Sequence, residues 1–159
     1  AYAAAGHEVV ALDSLERGHR ELVRWCPLEE GALEDAEWVA SLLRGFRPDV
    51  VAHLAGYADA AESVAKPELY LQKNHEVTSA LLAAIARHVP SCRFIYSSTG
   101  SVYDSSAPQP LTETSPLSPG NPYAASKLLA EQSIARSGLP SLIFRFFNVA
   151  GADPSGETG

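Results

Sequence analysis

The chain has 159 residues, enough for one domain of ordinary size, and its 46% hydrophobic and 19% charged residues mark it as globular rather than disordered. The formal net charge is −7 and the basic residues are scattered, so no nucleic-acid surface is expected. No apolar run reaches the ~18 residues of a membrane span and no secretory leader pattern opens the chain, so a cytoplasmic protein with no membrane partner is expected.

In chain order, Ala1 to Gly6 reads as the last turns of a helix closed by a glycine cap. His7 to Leu12 (HEVVAL) is an apolar run closed by Asp13 and reads as a buried strand; Leu22 to Trp25 reads as a weaker one. Leu33 to Phe46 has apolar residues at helical spacing, broken by Arg47-Pro48-Asp49. Val50 to Leu54 reads as a second buried strand. Pro67 suits a first helical turn and opens a helix to about His88, ended by Pro90. Arg93 to Ser98 reads as a third buried strand, and Asp104 to Gly120, rich in proline and serine, as a loop. Pro122 to Ser137 reads as a helix with Gly138 as its stop. Ser141 to Phe146 reads as the last strand, and Asn148 to Gly159 as loop.

Alternating strands and helices imply an α/β fold, a doubly wound parallel sheet covered on both faces. Ligands in such sheets sit beyond the carboxyl ends of the strands, and three features lie there. Asp13 follows a strand, where a carboxylate can accept both ribose hydroxyls of an adenosine and repel a 2′-phosphate; a helix cap or turn aspartate reads equally well. Ser97-Ser98-Thr99 closes a strand with hydroxyls that could hold a reacting oxygen, or that simply exit the sheet. Tyr123 and Lys127 stand one helical turn apart on one face. A tyrosine ionises near ~10 in water, too high for a base at neutral pH, and a nearby ammonium favours the phenolate. A solvated surface pair is the alternative for these two. Cys26, Cys92 and the five histidines show no metal-ligand spacing, so reduced thiols and no metal are expected.

A strand ending in hydroxyls, followed by a helical YxxxK, is far more specific than either part. With ALDSL (Ala11–Leu15), PDVVAHLAG (Pro48–Gly56), ESVAKP (Glu62–Pro67), FIYSSTGSVY (Phe94–Tyr103), NPYAASKLLAE (Asn121–Glu131) and RFFNVAGADPSGETG (Arg145–Gly159), the chain resembles the extended short-chain dehydrogenases/reductases, the NAD-dependent epimerase/dehydratase family. Within it the likeness is greatest to the UDP-glucose 4-epimerases. The resemblance implies a Rossmann-like NAD domain over residues 1–159. It further implies that the chain is an internal fragment, lacking the first strand with its glycine-rich loop and the C-terminal substrate-binding part.

What the family does carries over as follows. Asp13 resembles the adenosine-ribose ligand, with Ser14, Leu15 and the turn up to Gly18 along the adenosine. Leu54, Ala55 and Gly56 match a segment beside the cofactor, and Asn74 a cofactor-contacting asparagine. Thr99 matches the hydroxyl that holds the sugar O4. Tyr123 matches the base, and Lys127 its ammonium partner and a ligand of the nicotinamide ribose. Phe147 matches a residue beside the nicotinamide, and Asn148 a contact to the substrate phosphates. The implied activity of the intact protein, a homodimer, is interconversion of UDP-glucose and UDP-galactose with NAD as resident cofactor; the fragment alone is expected to be inactive.

Three departures stand out. Cys26-Pro27 falls where the family has Gly-Asp, and proline offers adenine neither a side-chain acceptor nor an N–H. Ala58 falls where a lysine is common, and Asp104 where glycine is usual. Rival readings are another nucleotide-sugar epimerase or dehydratase, and a non-catalytic dinucleotide-binding regulator or inactive fragment. The dehydratases place Asp-Glu after the threonine, where this chain has Gly100-Ser101, and the regulators lack the Tyr/Lys pair.

Overall fold

The computed structural model describes residues 2–151. Five parallel strands form two sheets. In one, β1 (Ala11–Asp13) pairs with β2 (Leu28–Glu30); in the other, β3 (Val50–His53), β4 (Arg93–Thr99) and β5 (Ser141–Phe146) lie in that order. The arrangement matches positions 3-2 and 4-5-6 of a doubly wound sheet of order 3-2-1-4-5-6. β1 and β3 each have one hydrogen-bonded neighbour among the described residues. The helices are α1 (Ala36–Phe46), α2 (Ala60–Ala65), α3 (Pro67–Tyr70), α4 (Val77–His88) and α5 (Pro122–Ser137).

The two long helices nearest the site end where their sequences say they should. The side chain of Asp35 accepts the Trp38 N–H at the start of α1, and Asn121 accepts the Ala124 N–H at the start of α5, each satisfying an orphan donor. Pro122 sits in the first turn of α5 and Gly138 closes it in the left-handed region.

Strand register decides which residues meet these helices. Val51 and His53 of β3 lie opposite Phe94 and Tyr96 of β4, and Tyr96 and Ser98 lie opposite Ile143 and Arg145 of β5. Paired residues share a face, and this face packs on α1, α4 and α5. Phe94 and Tyr96 are fully buried there among Val39, Leu43, Leu82, Ile85 and Ile134.

Several elements differ from the sequence reading. The first strand is shorter, Ala11–Asp13, and exposed or half-buried rather than buried, because a strand is enclosed only by neighbours and layers around it. Leu22 to Trp25 is not a strand. A 3₁₀ turn occupies Arg20–Leu22 and the strand forms at Leu28–Glu30. The short helix α2 lies in a stretch to which the sequence reading assigned no element, and is started by Asp59, whose side chain accepts the Glu62 N–H. The helix from Pro67 to His88 widens into a π turn at Leu71–Glu76.

Helices cover one face of the larger sheet only, among the described residues. On the other face Leu142, Phe144 and Phe146 of β5 are exposed, and so is Val50 of β3, a strand read as buried in which only His53 is buried. The loop at 104–120 is as expected. The loop expected at 148–159 is present at 148–151, and its remainder lies outside the described residues. Among the described residues no helix is long and apolar enough to cross a membrane.

Candidate active site

Two cavities open beyond the carboxyl ends of the strands. The first, of about 320 Å³, lies where the turns after β1, β2 and β3 converge. Asp13, Ser14 and Gly18 line it from β1, Gly31 and Leu33 from β2, and Leu54, Ala55 and Gly56 from β3. The Asp13 carboxylate accepts the Leu15 N–H at 2.8 Å through Oδ1. That bond shapes a tight turn in which Leu15 adopts φ +55°, a conformation costly for a branched side chain outside special turns. Leu15 itself does not line the cavity. A Cβ at Gly18 would stand 3.1 Å from Asp13 Oδ1, so the small residue leaves that carboxylate room.

The second cavity, of about 420 Å³, lies at the ends of β4 and β5. Ser97, Thr99, Tyr123, Phe147 and Asn148 all line it. Thr99 is buried, and its Oγ1 accepts the Ser101 N–H at 3.1 Å, which fixes the hydroxyl while leaving its own proton to donate. The Phe147 ring lies so close over Gly100 that a Cβ there would come within 2.6 Å of it. Glycine at position 100 is therefore a packing requirement for the wall that Phe147 forms. Tyr123 is half-buried, with its ring edge-on to Tyr70 at 6.4 Å.

Lys127 itself lines neither cavity, but it lies between Ser97 of the second and Gly56 of the first. Its ammonium donates to the Ser97 carbonyl at 3.0 Å on the side of the second cavity. On the other side, a Cβ at Gly56, a residue of the first cavity, would stand 3.4 Å from Nζ. The side chain is 5% exposed, and burial pulls its pKa down to about 8. Among the described residues that carbonyl is its one hydrogen-bond partner, so two of three N–H donors point to no protein acceptor. Beneath it, burial first and then the Lys127 charge hold the His53 imidazole down to about 3, so His53 stays neutral, with its Nε2 2.9 Å from Thr78 Oγ1.

Asn74 is not brought to either cavity. It is 1% exposed in the π turn, where its Oδ1 accepts the Tyr57 N–H at 2.7 Å and its Nδ2 donates to the Tyr57 carbonyl and to Ser126 Oγ. The side chain thus clamps the Gly56-Tyr57 turn onto α5. Its neighbour Lys73 faces the first cavity instead, and its ammonium meets Glu34 at 2.7 Å and Glu16 at 3.1 Å.

Cys26-Pro27 is also displaced from the role given to it. These residues precede β2, with the Pro27 carbonyl accepting the Ala11 N–H, whereas the turn that reaches the cavity is Gly31 to Leu33. The misplacement follows from the misplaced strand. A boundary at Glu30 puts the family's Gly-Asp position at Gly31-Ala32, where alanine likewise offers no acceptor.

Sequence reading missed the charged groups around these cavities. Behind the second, Glu131 is 6% exposed and accepts both the Ser98 hydroxyl and a paired contact from Arg145, 2.7 Å at its closest. That contact raises the Arg145 pKa and ties β4, β5 and α5 together just below Thr99. Glu131 lies four residues after Lys127, one turn along the same helix face, which is the signal that could have flagged it.

Comparison with known proteins agrees with this geometry. A family model described as NAD dependent epimerase/dehydratase family matches residues 1–159. The chain is similar to the UDP-glucose 4-epimerase of Azospirillum brasilense, 42% identical over 98% of this chain and 46% of that one. It superposes on the crystal structure of UDP-glucose 4-epimerase from Brucella ovis in complex with NAD with a TM-score of 0.94, at 34% identity over 99% of this chain and 49% of that one. A Stenotrophomonas maltophila UDP-glucose-4-epimerase with bound NAD and formylated UDP-arabinopyranose gives a TM-score of 0.92, at 27% identity over 98% of this chain and 50% of that one. The chain spans about half the length of the curated relatives it matches. By its sequence along its whole length and by its fold, the chain belongs to the NAD-dependent epimerase/dehydratase family.

Proposed function

We propose that this chain is the NAD-binding half of a nucleotide-sugar 4-epimerase, a cytoplasmic homodimer that interconverts UDP-glucose and UDP-galactose. The observation that carries the reading is Lys127, a buried ammonium with unspent donors between a cavity edged by Asp13 and one lined by Thr99 and Tyr123. A dinucleotide spanning the two cavities would satisfy those donors with ribose hydroxyls.

The residues fit the cofactor. Asp13 has Oδ2 available for a ribose hydroxyl, Ser14, Gly18 and Leu54 to Gly56 border the adenosine side, and Phe147 walls the nicotinamide side. When bound, NAD supplies a reversible hydride acceptor. Tyr123 takes the proton of the sugar 4-hydroxyl and returns it, with the Lys127 charge favouring its phenolate. Thr99 donates to the sugar O4 and holds it at Tyr123. Asn148 contacts the substrate phosphates. Asn74 acts at one remove from the cofactor by holding the Gly56-Tyr57 turn.

No carboxylate lines the second cavity among the described residues, which favours epimerisation over the elimination of water performed by a dehydratase. The test is Tyr123→Phe in the full-length protein, assayed by UDP-galactose conversion. A loss of ~10²- to 10⁴-fold is expected for a deleted acid–base group, and activity within about twofold of the parent would overturn the assignment.

A further inference from the structure

Among the described residues, the arginine and the lysine that line the first cavity, Arg17 and Lys73, are each matched by a carboxylate. Arg17 lies four residues beyond Asp13 and lines the same cavity. An arginine near this position is what accommodates the 2′-phosphate of NADP in dinucleotide-binding folds. Here its guanidinium reaches across to the far wall. It lies 3.7 Å over the Tyr57 ring and donates to both oxygens of Glu62 on α2, at 2.8 and 3.0 Å. Lys73, the other lysine or arginine of that cavity, is held between Glu16 and Glu34.

Glu62 is placed to keep Arg17 there. Its carboxylate also accepts from Lys66 and from the Tyr70 hydroxyl, so it is anchored to α2 and α3 independently of Arg17. These three donors hold its pKa well below the usual carboxylate range, which keeps it charged. Glu16, bonded to the Tyr57 hydroxyl at 2.6 Å, steadies the aromatic platform from the β1 side. Among the described residues the ribose edge is left with the Asp13 carboxylate and no unpaired arginine or lysine of the cavity lining, an arrangement hostile to a phosphate dianion.

We propose that Glu62 is a positioning residue for cofactor selectivity: by holding Arg17 against Tyr57, it denies the 2′-phosphate of NADP its natural partner and reserves the cavity for NAD. The proposal rests on the reading of this cavity as the dinucleotide site. It places a specificity determinant on a helix that does not itself line the cavity.

The experiment measures the affinities of the full-length protein for NAD and NADP by titration calorimetry. Glu62→Gln should raise NADP affinity relative to NAD by about tenfold, the size of one charge-assisted hydrogen bond. Adding Arg17→Ala should return the ratio to the parent value. A purely structural role for Glu62 would weaken both cofactors together, so an unchanged ratio overturns the proposal, as does a shifted ratio that persists without Arg17. Arg17→Leu alone tests the same idea without touching Glu62. It should leave the ratio unchanged, and a selective loss of NADP binding would show that Arg17 already reaches the phosphate. A parent protein that binds neither dinucleotide would instead overturn the reading of the cavity itself.

Discussion

Asn74 and Gly56 meet so closely that a Cβ on the glycine would stand 2.7 Å from Asn74 Oδ1. Gly56 also has φ +146°, a conformation open to glycine and to almost nothing else. The turn after β3 therefore passes between Asn74 and Lys127 only because position 56 has no side chain. Gly56→Ala should destabilise the protein by about 1–3 kcal/mol, the usual cost of such backbone strain, and weaken NAD binding by displacing Lys127. Thermal unfolding and cofactor titration of the variant check both, and an unaltered Tm would contradict the close contact.

The buried pair behind the second cavity is vulnerable from one side only. Arg145→Met leaves the Glu131 carboxylate enclosed with Ser98 as its remaining partner. Breaking a buried pair in this way costs about 3–5 kcal/mol, to be read in urea unfolding. Adding Glu131→Gln removes the stranded charge and should recover much of the loss. Equal stability of the single and double variants would show that the charge is not the cause.

His53 makes stability pH-dependent. Its folded pKa is depressed by burial to about 3 from the ordinary histidine value of 6.5, so the unfolded chain binds its proton first. The stability it contributes is complete above the unfolded value and is lost as pH falls from about 6.5 towards 3. Urea midpoints measured across that interval should decline with acidification, and His53→Gln should flatten the decline.

The 159-residue chain by itself is expected to bind NAD weakly. The strand position between β1 and β3 is the one that carries the glycine loop and the helix N-terminus for the pyrophosphate in a sheet of this order. Without those N–H donors, the contacts proposed for Asp13 and Lys127 reach only the two riboses. Calorimetric titration of the isolated chain decides this, and micromolar binding to a folded monomer would overturn it.

Local pattern determined much of this protein. YxxxK on a helix, hydroxyls ending a strand and an acidic residue closing β1 are all short-range arrangements, and helix caps such as Asn121 and Gly138 act within one turn. These were legible because the interactions that set them lie within a few residues. The shift of β2 to Leu28–Glu30 was not, since a short strand is chosen by its partner, here Ala11–Asp13, and not by its own composition. That single misplacement carried the expected adenine position from Gly31-Ala32 to Cys26-Pro27. The same limit explains Asn74, Arg17 and Glu131. Their partners lie 17, 45 and 14 residues away in the chain, and only the folded sheet brings those charges and amides within hydrogen-bond reach. Sequence determined which chemical groups the site contains. Tertiary structure decided which of them face the cavities and which are spent on holding the others in place.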